Sequence, residues 1–170
     1  PKDKGGFLVV HAPSQALLQP RPFPEKSPDY FPFKPCKLSF RSTKSYPTNW
    51  YELEGELFDF EGDEELHAIL EDEVEGGTIH KLLGHPNLIQ GDIFLESQLV
   101  SNGLFCGDST GYNDPKRKEL EPGAGDWVLL LQIDSDDNAD MMWGDVGRVY
   151  FTSRKEDLER HNFDAIWSVV

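Results

Sequence analysis

The sequence predicts an α+β domain, β-rich and mainly antiparallel, with short helices. Three observations carry this. Apolar, strand-like runs recur at 126–133 (DWVLLLQI), 147–153 (GRVYFTS) and 163–170 (FDAIWSVV). The helical patterns around them are short. Strand and helix do not alternate in the regular way that builds a parallel sheet, and no internal repeat is visible. At 170 residues and 38% hydrophobic content the chain can bury one core, so residues 1–170 read as a single domain.

The elements follow in order. GFLVVH, Gly6 to His11, lies between Gly5 and Pro13 and predicts a first strand. Residues 12–50 form a Pro-rich segment, with eight of the twelve prolines between Pro13 and Pro47 and Phe23, Tyr30, Phe31, Phe33 and Phe40 interleaved. Proline fixes φ and removes a donor, which excludes regular helix there. Pro20-Arg21-Pro22-Phe23-Pro24 has the form of a polyproline ligand. Aromatics at this density are usually ordered by burial, so the favoured reading is a segment wrapped over the domain.

Glu52 to Glu75 holds twelve Asp and Glu and no Lys or Arg. Within it Leu66, Ile69, Leu70 and Val74 fall on one helix face, Asp63 can cap the start, and Gly76-Gly77 ends the pattern. Asp92 as N-cap and Asn102-Gly103 as a left-handed stop predict a helix over 93–101, although Ile93, Leu95, Ser97 and Leu99 also alternate as a strand would. Tyr112-Asn113-Asp114-Pro115 is turn chemistry, followed by a short polar helix over KRKELE. A further short helix is predicted from Arg154 to Arg160.

Sixteen Lys and Arg against thirty-one Asp and Glu give 16 − 31 = −15. That charge repels nucleic-acid phosphates and anionic membranes and fits a basic protein partner, with Glu64, Glu65, Glu71 and Asp72 as candidate contacts. A solvated acidic face explains the same run without a partner. No apolar stretch approaches a membrane span, and Cys36 and Cys106 are the only cysteines. The expected compartment is the cytoplasm.

Asp134 to Asp145, DSDDNADMMWGD, sets five aspartates between two apolar runs. Asp134, Asp136, Asn138 and Asp140 occupy the first four liganding positions of an EF-hand loop. Ala139 stands where that loop needs Gly, Asp145 where it needs a bidentate Glu, and the flanks read as strands rather than helices. The stretch is therefore expected to be a hairpin tip. A weakly held divalent cation on Asp134, Asp136, Asn138, Asp140 and Asp145 is the only cofactor it suggests. Trp143, after Met141 and Met142, either packs on the hairpin base or anchors a partner.

Gly107-Asp108-Ser109-Thr110-Gly111 matches the G-x-S-x-G nucleophile elbow, with His161 downstream. The elbow needs a helix directly after the serine, and a turn follows instead. Cys106 with His80 or His85 as base and Asp108 as orienter would make a thiol mechanism, although a buried core cysteine is the commoner case. The enzymatic or small-ligand alternative thus rests on His85, Cys106, Asp108 and Ser109.

HKLLGHPNLIQGD, LVSNGLFCGDSTGYNDP, DWVLLLQIDSD and MMWGDVGRVYF, in this order and densest from Ile79 to Phe151, resemble the YwqG-like family of bacterial proteins, a domain of unknown function. The resemblance implies a β-rich α+β fold and no particular reaction. It also implies that the family's N-terminal portion, which precedes a position like Gly6, is lacking here. The family pattern places Cys where this chain has Ser97, which argues against a catalytic thiol at that position. Members lie near bacterial toxin genes, so a toxin-neutralising, immunity-like role is a family-level expectation. The leading expectation is an acidic, non-enzymatic protein-interaction domain.

Overall fold

The helix that the caps predict over 93–101 forms, and it is the longest among the described residues. The computed structural model describes residues 7–13, 16–19, 33–45, 47, 78–89 and 91–170, and within these α1 spans Ile93–Ser101. The Asp92 carboxylate accepts from the backbone N–H groups of Phe94 (2.9 Å) and Leu95 (3.1 Å), satisfying two of the donors a helix start leaves open. At the other end Gly103 takes φ +88°, its N–H reaching Val100 O while Leu104 N–H reaches Leu99 O. This is the Schellman stop that Asn102-Gly103 predicts.

The described strands form one antiparallel sheet in chain order: β1 Lys81–Leu82, β2 Trp127–Asp134, β3 Arg148–Arg154 and β4 Trp167–Val169. Between α1 and β2 the chain makes a four-residue helix, α2 at Arg117–Leu120, and a 3₁₀ turn at Glu121–Asp126. α3, Lys155–Glu159, follows β3, and a 3₁₀ turn at Phe163–Ala165 precedes β4. The fold class is α+β with an antiparallel sheet, as expected, but it is not β-rich: among the described residues helices and 3₁₀ turns hold more of the chain than strands do.

One β-bulge decides which residues of β2 face inward. Leu129 pairs with Thr152 and Leu131 with Phe151, so Leu130 is the extra residue. Before the bulge Trp127 and Leu129 are buried; after it Gln132 and Asp134 are. Side chains alternate along a strand, so without the bulge Leu131 and Ile133 would share the face of Leu129. The bulge instead puts two polar side chains on the face that α1 covers. That face buries Ile93, Leu129, Tyr150 and Val169 as one cluster, with Leu88 and Phe94 packed against it.

Each buried polar group there has a partner. Gln132, fully buried, accepts from Asn87 N–H (2.9 Å) and donates to Ile79 O (2.9 Å). Asp134 accepts from Ile79 N–H (2.8 Å) and lies 2.9 Å from the Arg148 guanidinium. Arg148 and the Tyr150 hydroxyl both donate to Asn87 O (2.8 Å each), and Ile89 N–H donates to the same hydroxyl (3.2 Å). These side chains do for residues 79–89 what a longer β1 would do with backbone. On α1, Ser97 bonds Thr152 of β3 at 2.7 Å, and Gln98 accepts from both Trp127 Nε1 (2.9 Å) and Arg154 Nη2 (2.7 Å).

Two sequence expectations need correction. Phe7 to His11 is not a strand: it forms no ladder among the described residues and is held by side chains, with the Phe7 ring edge-on to Phe151 at 5.9 Å. The final run is strand only over Trp167–Val169, because its first part closes into the 3₁₀ turn and pairing with β3 starts at Thr152. The expected helix over 63–74, and Pro20 to Pro24, lie outside the described residues.

Removing the Asp134 carboxylate would leave the Arg148 charge buried without its counter-ion. Asp134→Ala should cost ~3–5 kcal/mol in urea unfolding. A loss below about 1 kcal/mol would show that water replaces the pair.

Candidate functional site

The segment between β2 and β3 is a hairpin tip, as its strand-like flanks predict. Its backbone is cross-braced. Asp136 and Met141 exchange both backbone hydrogen bonds (2.8 and 3.0 Å), the Ser135 hydroxyl donates to Gly147 O (2.8 Å) and accepts from Trp143 N–H (3.1 Å), and Gly147 N–H reaches Trp143 O (2.6 Å). Closing this turn puts Asp140, Gly144 and Val146 at φ +50°, +57° and +59°. Asp tolerates this region, but a β-branched Val there costs of order 1–3 kcal/mol.

Three of the five candidate cation donors, Asp134, Asp136 and Asp140, are engaged by residues outside the set. Asp134 is buried against Arg148. Asp136 accepts from Asn138 backbone (2.8 Å) and side-chain (3.1 Å) N–H groups and from His80 Nε2 (3.2 Å), and the His80 bond, then the Asn138 amide, hold its carboxyl below the usual range. Asp140 pairs with Lys34 at 2.7 Å. Asp145 is exposed. Among the described residues no group of three or more His, Cys, Asp or Glu is arranged to hold a metal ion.

The sequence offers His80 as a base for Cys106, and the structure gives it a bracing role instead. Its Nδ1 accepts the Asp134 backbone N–H at 3.1 Å, so the ring proton sits on Nε2 and points at Asp136. Lys34, also unmarked in the sequence, donates its N–H to Ala139 O at 2.8 Å besides its ion pair, and Cys36 Sγ lies 3.5 Å from Asn138 O. Residues 33–36 of the Pro-rich segment thus lie against the tip. Spacing could not reveal either contact, since Lys34 and His80 are 106 and 56 residues from their partners.

Trp143 is half-buried, edge-on to Phe33 at 5.4 Å. The exposed apolar residues of the tip are its neighbours, Met142 (52% accessible) and Val146 (62%), set among exposed Asp137, Asn138, Asp140 and Asp145. Glu64, Glu65, Glu71 and Asp72 lie outside the described residues.

The second candidate group sits in the loop after α1. Asp108 accepts from Thr110 N–H (2.8 Å), and the Thr110 hydrogen bonds keep its carboxyl below the usual range. Gly111 passes so close to the Phe105 carbonyl and Cys106 Sγ that a Cβ would collide with both. A turn, not a helix, follows Ser109, and His161 stacks on His11 and Phe163. Burial pushes the Cys106 thiol pKa up and the Glu96 charge adds to this; the Tyr112 hydroxyl, which donates to Glu96 at 3.0 Å, opposes it. His85 is held elsewhere, its N–H on Ser45 Oγ (2.9 Å) and its carbonyl accepting from Lys81 (3.1 Å). A thiol kept protonated beside a carboxylate is a poor nucleophile.

Fold and loops define an α+β domain whose antiparallel sheet carries a braced acidic hairpin. Residues 1–170 match the family described as a domain of unknown function, DUF1963, and the chain belongs to that family. No curated protein matches it. No helix among the described residues is long and apolar enough to cross a membrane.

Alkylation followed peptide by peptide tests the Cys106 environment. Cys106 should react with a pH midpoint above the ordinary thiol value of 9.0, and Glu96→Gln should move that midpoint down by removing a negative neighbour. An unchanged midpoint in the variant would remove Glu96 from the account.

Proposed function

We propose that this DUF1963 member is a non-enzymatic protein-binding domain whose β2–β3 hairpin tip meets a basic protein. One observation carries the reading: Met142 and Val146 stand exposed in a backbone-braced loop that also exposes Asp137, Asp140 and Asp145. An apolar centre with a charged rim is how protein interfaces are built, and a braced loop loses little entropy on docking. The left-handed Val146 supports the same reading, since strain is retained where a surface does something. The net charge of −15 favours encounter with a basic partner and disfavours nucleic acid.

We place the chain among the YwqG-like members on the sequence blocks they share, and extend the proposal to a toxin-neutralising role, which their occurrence near bacterial toxin genes supports. The compartment we propose is the cytoplasm, where Cys36 and Cys106, both free, stay reduced.

Affinity capture from the native host, at low and raised salt, tests this. Wild type should retain a basic protein that weakens with salt, and Met142→Ser/Val146→Ser or Asp137→Lys/Asp145→Lys should lose it by at least about tenfold, ~1.4 kcal/mol, with unchanged melting temperature. A partner indifferent to both pairs of substitutions would overturn the proposal.

A further inference from the structure

At the end of the β2–β3 ladder opposite the acidic tip lies a cavity of about 620 Å³. Its apolar walls include Phe7, Phe163, Ile166 and Trp167. Phe7 is fixed on Phe151, and His11 stacks on Phe163 at 5.3 Å, so two ring contacts hold the 7–11 segment in place as one wall. The volume is in the range of small-molecule sites.

Arg154 supplies the charge. It ends β3 opposite Trp127, lies over the Trp127 ring at 5.0 Å and gives Nη2 to Gln98. Both contacts fix the plane of the guanidinium. Its other N–H groups make no hydrogen bond among the described residues, and no carboxylate pairs with it there. Asp157 and Asp164 line the same cavity, but Asp157 is engaged by Asn162 at 2.7 Å. A half-buried, positioned arginine with no counter-anion among the described residues, in an aromatic-walled cavity, is suited to a bidentate oxyanion.

The charges choose the oxyanion. Arg154 against Asp157 and Asp164 leaves the lining at +1 − 2 = −1, so a doubly charged phosphate is repelled more than a single carboxylate, whose attraction is the local pair with Arg154. We propose that this cavity binds a small monocarboxylate with an aromatic or branched apolar body, its carboxylate on Arg154 and its body against Phe163 and Trp167. The site is independent of the hairpin tip and its partner.

Calorimetric titration of the full chain with 3-phenylpropionate, phenethylamine and inorganic phosphate tests it. 3-Phenylpropionate should bind saturably with one site, and phenethylamine and phosphate at least about tenfold more weakly. Arg154→Gln should weaken 3-phenylpropionate by a similar factor. Ala165→Trp, which fills the cavity and leaves Arg154 in place, should abolish binding. Absence of saturable 3-phenylpropionate binding, phosphate binding as tightly, or binding that survives either substitution would overturn the proposal.

Discussion

The fold depends on buried polar side chains doing the work of a missing strand. β1 is two residues long and pairs with β2 at only Lys81 and Leu82. Beyond a Leu83 N–H bond to Leu130 O and the His80 ring on Asp134 N–H, what holds the rest of 79–89 to the sheet is Gln132, Asp134, Arg148 and Tyr150, whose side chains take up backbone groups of Ile79, Asn87 and Ile89. Such networks are weak sources of net stability but costly to break, because each orphaned group stays dry. They therefore select one arrangement of the segment over others more than they strengthen it.

The bulge between Leu129 and Leu131 makes this network possible, and it also separates two ends of the hairpin that differ in chemistry. By changing the parity of β2 it keeps Trp127 and Leu129 on the α1 face at one end of the strand and Gln132 and Asp134 on that face at the other. The first end, tied through Gln98 to Arg154, opens into the aromatic cavity. The second passes through Asp134 and His80 into the acidic tip. Two surfaces of different chemistry thus sit on one hairpin.

Local chemistry was legible in the sequence wherever it was self-contained. Asp92 and Asn102-Gly103 mark both ends of α1 because capping uses residues within a turn of one another, and the strand-like flanks identify Asp134–Asp145 as a hairpin tip. Gly6 to His11 misleads because β-rich composition cannot say whether a partner strand is present. The bulge is hidden too, since in VLLLQI any leucine could be the extra residue. The Asp134, Asp136 and Asp140 side chains look alike in the sequence; Arg148 across the hairpin and His80 and Lys34, both distant along the chain, give them separate partners. Arg154 carried no motif at all, and only its register opposite Trp127 makes it noticeable.

The claim that side chains clamp 79–89 to the hairpin is tested most directly by native-state hydrogen exchange of the Ile79 and Asn87 amides. Each donates to a side chain of β2 rather than to a backbone ladder. If the clamp is integral to the fold, both should exchange only through the opening that frees the β2–β3 amides, with the same free energy. Exchange at rates near those of an open loop, while β2 and β3 stay protected, would contradict it.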